Sequence, residues 1–132
     1  MKLDVQTHGR EELVDVTRDV ERLVGQSGVD EGIAVVYCPH TTAGVAVNEH
    51  ADPDVAEDIL AWLGRTCPRS GDWRHCEGNS DGHVKATLVG SSVTIPVSEG
   101  RMQLGTWQGV FFCEFDGPRS RRLEVRVLGE RG

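Results

Sequence analysis

The sequence lacks features that define several large classes of protein. It has no run near the roughly 20 apolar residues that a membrane-spanning helix needs, and no long apolar stretch follows Lys2 as in a secretory leader. It also has no basic excess, because 14 Lys and Arg stand against 21 Asp and Glu, for a net charge of -7. That charge repels a polyphosphate backbone. We therefore expect a soluble cytoplasmic protein that binds neither nucleic acid nor membranes.

Short motifs of common enzyme classes are missing as well. The sequence contains no nucleophile elbow, phosphate loop or dinucleotide fingerprint. Its four cysteines form no C-x-x-C pair, which favours reduced thiols over a metal knuckle or a redox pair. Two of them, Cys38 and Cys113, lie in apolar runs and are predicted to be small buried hydrophobes.

Length and patterning favour a single domain over residues 1–132. A chain of 132 residues with 38% hydrophobic and 27% charged residues is typical of one globular core. Alternation over residues 3–7 predicts an edge strand, and the apolar run 33–38 predicts a strand covered on both faces. Further strands are predicted at 93–97, 108–115 and 123–128. The fold class is therefore α+β: a largely antiparallel sheet or sandwich with two or three helices.

Two helices are indicated by their ends. The first covers residues 17–24, with Thr17 as its N-cap and Gly25 or Gly28 as its stop. The second begins at Asp52 and Pro53, because Asp52 can accept from a free amide and proline fits the first helical position. Residues 64–82 then read as a loop of a length that compact domains seldom keep without a functional reason.

Three histidines are candidates for metal chemistry. His40 ends an apolar strand, and His75 and His83 bracket a polar segment with carboxylates at Glu77 and Asp81. Imidazoles combined with carboxylates are ligands that zinc prefers. The separation of eight residues has no fixed geometric meaning, however, so exposed or core histidines remain the alternative.

Other polar residues are candidates for binding a phosphate. Lys85 and the turn at Gly90 and Ser91 could hold an anion, although such a serine can also simply satisfy a turn. The glycine-rich stretch 101–109 either approaches a ligand or forms a hairpin with Trp107 over the core. Glu114 lies among apolar neighbours, where a carboxylate is costly unless it is paired or ligating.

Several of these segments together resemble the YjbQ family. The similarity rests on residues 40–43 (His-Thr-Thr-Ala), on Asn48-Glu49 with Asp52-Pro53, and on the segments 77–85, 88–92, 99–109 and 113–119. These motifs occur in order over nearly the whole chain. The resemblance implies a compact α+β fold, assembly as a homotrimer and a secondary thiamine-phosphate synthase activity.

The resemblance also implies roles for particular residues. The metal ligands are expected to be His40, His75 and His83, and the catalytic residues Glu49, Lys85 and Glu114. Substrate binding is expected at Asn48, Asp81, Ser91, Gln103, Thr106 and Trp107. The ion is expected to be zinc, with magnesium as the alternative, because imidazoles suit a borderline ion better. Gly82 departs from the alanine expected before His83.

Three functions remain open at this point. The first is a transferase that joins a pyrimidine-methyl diphosphate to a thiazole phosphate, giving thiamine phosphate and diphosphate with metal assistance. The second is a metal-dependent hydrolase at the same histidines, with Glu49 or Glu114 moving the proton. The third is an oligomer that binds a metal or a small phosphate without catalysis.

Overall fold

The computed structural model describes residues 1–75 and 77–132 and places three helices and eight strands in them. Cys76, to which no role is predicted, lies outside the described residues. The helices are α1 (Thr17–Ser27), α2 (Pro53–Thr66) and α3 (Ser80–Val89). The strands are β1 (Lys2–Gln6), β2 (Glu12–Asp15), β3 (Val29–Tyr37), β4 (Ala43–Glu49), β5 (Ser92–Ser98), β6 (Arg101–Met102), β7 (Gln108–Glu114) and β8 (Ser120–Arg131).

The strands form two antiparallel sheets. The larger sheet has the order β1-β8-β3-β5-β6, and the smaller has the order β2-β7-β4. The predicted edge strand is β1, which pairs only with β8 in this order. The predicted α+β fold with antiparallel sheets is therefore confirmed. None of the helices in the described residues combines the length and apolar character that a membrane crossing requires.

Strand β7 lies at the centre of the packing because both of its faces are buried. Val110 and Phe112 point into the core between the two sheets, where α1 also packs. Phe111 and Cys113 point the other way, into a second cluster with α2 and α3. Successive side chains of a strand face opposite sides, so one apolar run serves both cores. The protein thus has three layers: the large sheet, the small sheet and a pair of helices.

Strand β3 differs from its prediction. Val36 is fully buried, whereas Ile33 and Tyr37 are 39% and 47% exposed. The prediction of a strand covered on both faces is therefore wrong for the single chain. The reason is that β3 lies inside the large sheet, of which only one face meets the second layer. Its run of β-branched residues reflects strand preference rather than burial on two sides.

The helix ends agree in part with their predictions. Asp52 caps α2, accepting from the Asp54 N–H at 2.9 Å. Helix α1 ends at Gly28, whose φ of 74° is the left-handed conformation of many helix ends. Thr17, however, is not the N-cap of α1 but its first residue. Its amide donates to Asp15 Oδ1 at 3.0 Å, so an aspartate two residues earlier satisfies the helix start.

Helix α3 was not located from the sequence, and its start falls in the predicted loop. Its buried residues include Ser80, Asp81 and Lys85, so it has no apolar stripe at helical spacing. A helix that buries its charged residues gives no amphipathic signal. Its position must therefore be held by polar contacts rather than by hydrophobic packing alone.

Candidate functional site

One open pocket brings together three of the predicted site residues. His40, His83 and Ser91 all line a cavity of about 480 Å³. His40 comes from the loop between β3 and β4, His83 from α3, and Ser91 from the turn after α3. Hydroxyl side chains at Thr41 and Thr87 also line it. Residues that are distant in the chain thus converge on one space of small-ligand size.

Backbone contacts hold the Ser91 turn in place. The Cys38 amide donates to the Ser91 carbonyl at 2.7 Å, and the Val45 amide donates to the Gly90 carbonyl at 3.2 Å. Gly90 has a φ of 101°, which side chains rarely allow. The turn is therefore attached to the ends of both β3 and β4. Such fixed backbone keeps Ser91 at a constant distance from His40.

His40 is held in one neutral tautomer. Its Nε2 accepts from the backbone N–H of Arg122 at 3.0 Å, so the ring proton resides on Nδ1. Burial lowers the pKa of His40, and the positive charge of Arg121 lowers it further. At neutral pH the ring is therefore uncharged. It can donate one hydrogen bond from Nδ1, but it does not add positive charge to the pocket.

His75 and His83 lie against each other. Their ring centroids are 5.4 Å apart with the planes at 79°, an edge-on contact. His75 Nδ1 is 2.9 Å from Ser80 Oγ at the start of α3, and its Nε2 is 3.7 Å from Glu77 Oε2. The loop before α3 is therefore attached to the helix that carries His83.

The three imidazoles do not form one ligand set within the single chain. The Nε2 lone pair of His40 already accepts from an amide. Across residues 1–75 and 77–132, no group of three or more His, Cys, Asp or Glu side chains is arranged to hold a metal ion. His75 and His83 are neighbours, but His40 as oriented does not complete a set with them. Zinc or magnesium at these residues stays a prediction.

Lys85 does not have the position predicted for a phosphate ligand. It is 1% exposed, and its ammonium lies 2.6 Å from Glu11 Oε1 and 2.9 Å from Asp81 Oδ2. It is also not among the residues that line the pocket. Within the single chain these contacts give Lys85 a structural role, and its catalytic role stays a prediction. A buried ammonium needs charged partners, and here they come from the protein itself.

Asp81 also has a structural role in the single chain, and its predicted substrate contact stays a prediction. Arg10 donates two hydrogen bonds, of 3.0 and 3.1 Å, to the Asp81 carboxylate. Lys85 donates a further hydrogen bond to it. Burial alone would raise the pKa of Asp81, but the hydrogen bonds from Arg10 and Lys85 outweigh it and lower the pKa. The hydrogen bond to Asp81 in turn raises the pKa of Arg10. Two cations and two carboxylates thus fasten residues 10 and 11 to α3.

Glu114 likewise has partners within the protein. Its carboxylate is fully buried and accepts from Arg121 at 2.5 and 2.9 Å, from Thr7 Oγ1 at 2.8 Å and from the Asp116 amide at 3.0 Å. Burial alone would raise the pKa of Glu114, but the hydrogen bonds from Arg121 and Thr7 lower it. A paired carboxylate with no exposed surface is poorly placed to exchange protons with a ligand, and the catalytic role of Glu114 stays a prediction.

The remaining predicted residues lie outside the histidine pocket of the same chain. Asn48 and Glu49 border a different, apolar cavity, and Gln103 borders a third. Thr106 is exposed, and Trp107 is 63% exposed rather than packed over the core. The single chain therefore does not join these five residues to His40 and His83.

The residues that pair with the buried charges were missed in the sequence. Arg10 and Glu11 gave no signal, because their partners are more than 70 positions away. For Arg121 the sequence does contain a signal. Alternate residues of a strand share a face, so Arg121 lies on the same buried face of β8 as Leu123 and Val125. A cation on the buried face of a strand requires a carboxylate nearby, which Glu114 supplies.

Fold and site define the class of protein. It is a small α+β domain in which two antiparallel sheets and a helical layer form a pocket lined by histidine and hydroxyl side chains. The chain belongs to the YjbQ family: the family model described as UPF0047 protein YjbQ-like matches residues 1–130.

Individual relatives agree with this assignment. A UPF0047 protein from Methanocaldococcus jannaschii is 49% identical over 130 residues, covering 98% of this chain and 94% of the relative. The UPF0047 protein YugU of Bacillus subtilis is 46% identical, with 96% and 97% covered. The crystal structure of an uncharacterized YjbQ/UPF0047 family protein from Clostridium acetobutylicum is 48% identical and superposes with a TM-score of 0.95, covering 97% of this chain and 99% of that one.

Replacing Lys85 tests its structural role. Lys85→Ala leaves the buried Asp81 and its neighbour Glu11 short of a cation, so we expect the free energy of unfolding to fall by about 3–5 kcal/mol. Urea denaturation measures this. Lys2→Ala, at an exposed lysine on β1, is the control and should change stability little. Unchanged stability of Lys85→Ala, together with weaker phosphate binding, would return Lys85 to the role predicted from the sequence.

The buried carboxylates predict how stability depends on pH. The pKa values of Glu114 and Asp81 are lowered in the folded protein, so their contribution is complete above the unfolded values of about 4. It is lost as the pH falls through the lower folded values. Through these two groups, stability should therefore decline below about pH 4. The lowered pKa of His40 adds a shallower decline as the pH falls below its unfolded value of about 6.5, because the unfolded imidazole takes up a proton first.

Thermal melting between about pH 2.5 and pH 7 measures this profile. Glu114→Gln should lower the melting temperature at neutral pH and flatten the acid decline. Glu130→Gln, at an exposed position of β8, should leave the shape unchanged. An acid decline of equal steepness in Glu114→Gln would show that other groups control it.

Proposed function

We propose that the protein binds a small phosphorylated molecule in the pocket of His40, His83 and Ser91 and transfers a group from it. The reaction to test first is the one that the family resemblance implies. A pyrimidine-methyl diphosphate and a thiazole phosphate would give thiamine phosphate and diphosphate. One observation carries the proposal: these three residues, chosen from separate segments of the sequence, line a single cavity of about 480 Å³.

The chemistry of this transfer suits a pocket of hydrogen-bond donors. The bond between the methylene carbon and the diphosphate oxygen breaks, and a bond from that carbon to the thiazole nitrogen forms. Negative charge then develops on the departing diphosphate. Neutral His40 and the hydroxyls of Thr41 and Ser91 are donors that can stabilise such oxygens in a fixed site.

A divalent ion, zinc or magnesium, remains part of the proposal. When bound, such an ion would neutralise phosphate oxygens as a Lewis acid, which matters more now that Lys85 is buried in ion pairs. We assign no step to it, because one chain does not bring the three imidazoles into one ligand set. His75 and His83 are the side chains that would hold it.

The contacts of Glu114 and Glu49 within one chain weigh against the hydrolase alternative. Glu114 is fully paired in the interior, and Glu49 borders a cavity that shares no lining residue with the histidine pocket. The transferase needs no such carboxylate, because its nucleophile is the nitrogen of the second substrate. That difference supports transfer over hydrolysis.

Assembly as a homotrimer in the cytoplasm is also proposed, on the family resemblance. The outer face of the large sheet exposes Ile33, Tyr37 and Leu128, which a neighbouring subunit could cover. Small domains bury only about two-thirds of their unfolded surface and gain stability by association. Trp107, which is 63% exposed and lies outside its own chain's pocket, could then reach the pocket of a neighbour.

Multi-angle light scattering at micromolar concentration tests the assembly. We expect a mass of three chains, because burying the exposed apolar face stabilises the oligomer. Ile33→Lys should shift the mass toward the monomer, whereas Lys2→Glu, on the edge strand β1, should not. A monomer mass for the unaltered protein would contradict the assembly and any site shared between subunits.

Product analysis with the two phosphorylated substrates tests the activity. We expect thiamine phosphate above background, reduced by about tenfold or more in His83→Ala and Ser91→Ala because each removes a pocket donor. His8→Ala, at an exposed histidine, should retain full activity. Metal content is measured on the same variants.

Other products would separate the alternatives. Inorganic phosphate released from one substrate alone would establish hydrolysis. Substrate binding without any product would establish a binding protein. An activity that His83→Ala leaves intact would place the reaction elsewhere.

A further inference from the structure

A second cavity lies between α2 and the small sheet, on the side of that sheet away from the main core. Its volume is about 220 Å³, and it shares no lining residue with the histidine pocket. Leu63, Phe111 and Cys113 form part of its wall, and all three are buried. The space is therefore a cleft that reaches into the second apolar cluster and opens toward solvent at the exposed Asn48.

The volume of the cleft limits the size of a ligand that it can hold. Here the space exists because alanines at 46 and 56 line it where larger side chains would fill it. An engineered apolar cavity of about 150 Å³ stays dry and binds benzene. A cavity of 220 Å³ therefore has room for one six-membered ring with a short substituent.

The wall of the cavity is uncharged, and its rim is acidic. Burial raises the pKa of Cys113 to about 12, so its thiol is neutral and behaves as an apolar group. Glu49 and Asn48 line the cavity at the end of β4. Glu49 Oε2 accepts from the Ala51 amide at 3.0 Å, and this contact holds the carboxylate at its place beside the cavity.

Further negative charge lies at the same end of α2. Asp52 caps the helix and Asp54 lies in its first turn. Asp52 satisfies the Asp54 amide itself, so the charge of Glu49 is not needed to cap that turn. An apolar ligand in the cavity would thus meet an acidic rim on a chain whose net charge is already -7. A positively charged group at the ligand's outer end is favoured, and a carboxylate is repelled.

We propose that this cavity is a binding site for a small apolar molecule with one positively charged group, of about the size of a single ring with an aminomethyl substituent. The ring would pack against Leu63 and Phe111, and the cation would lie beside Glu49. The proposal is independent of the transferase activity. It gives Glu49 and Asn48 a ligand other than the one at the histidine pocket.

The test uses three ring compounds of the same size that differ in charge: benzylammonium, toluene and benzoate. Each is titrated into the isotopically labelled full-length protein and followed by amide chemical shifts. We expect saturable shifts at residues 46, 56 and 111 with benzylammonium and toluene, and binding of benzoate at least about tenfold weaker. Shifts confined to other residues, or equal affinity for benzoate and benzylammonium, would overturn the proposal.

Two variants separate shape from charge. Ala56→Leu fills the cavity from α2 with a good helix former and should weaken both benzylammonium and toluene by about tenfold or more. Glu49→Gln keeps the shape and should weaken only benzylammonium, by about fivefold. Glu57→Gln removes the same charge at an exposed position of α2 and serves as the control.

The outcomes are decisive even if one variant fails to fold. Should Ala56→Leu not give a cooperative melt, Glu49→Gln still decides the charge preference. Unchanged benzylammonium affinity in Glu49→Gln, or an equal loss in Glu57→Gln, would show that the rim does not select the ligand. Unchanged binding of both probes in a folded Ala56→Leu would show that they bind elsewhere.

Discussion

The buried ion pair between Glu114 and Arg121 joins the two sheets and helps to hold the loop that carries His40. Glu114 ends β7 of the small sheet, and Arg121 lies in β8 of the large sheet, so the pair joins the two layers. Arg121 also donates to Thr42 Oγ1 at 2.9 Å, and the next residue, Arg122, donates its amide to His40. Two neighbouring residues of β8, Arg121 and Arg122, therefore hold the two sheets together and fix the loop that carries His40.

A second set of buried charges does the same for the other side of the pocket. Asp81 and Lys85 flank His83 along α3, and they are held by Arg10 and Glu11 from the loop before β2. Helix α3 has no apolar stripe, so these ion pairs add to the packing of Ala86 and Val89 against the second apolar cluster. Removing one partner from such a set is costly, because the remaining charge stays buried without compensation. The position of His83 therefore depends on charges that do not touch the pocket.

This use of charge leaves the pocket itself close to neutral. The lysine and the carboxylates that the family motifs place near the histidines are engaged in ion pairs, and His40 is uncharged at neutral pH because its pKa is lowered. A phosphate in the pocket would be held by hydrogen bonds and by whatever cation arrives with it. The acidic cavity under α2 has the opposite preference, so the two cavities differ in the charge of the ligand that each favours.

Local patterns in the sequence determined much of the fold and the candidate site. The alternation at residues 3–7, the cap at Asp52 and the strand run of β7 depend on neighbours in the chain, and each appears in the structure as predicted. The histidine pocket was indicated in part: the sequence singles out His40, His83 and Ser91, but it does not locate α3, which carries His83.

Only the tertiary structure decided what the charged residues do. The sequence does not show whether Lys85 and Glu114 contact a ligand or another residue of the protein. Their partners Glu11 and Thr7 are 74 and 107 positions away in the chain. The same holds for β3, whose second face is open because no further layer of the chain covers it. Local propensity acts over a few residues, whereas the pairing of buried charges depends on which distant segments the fold brings together.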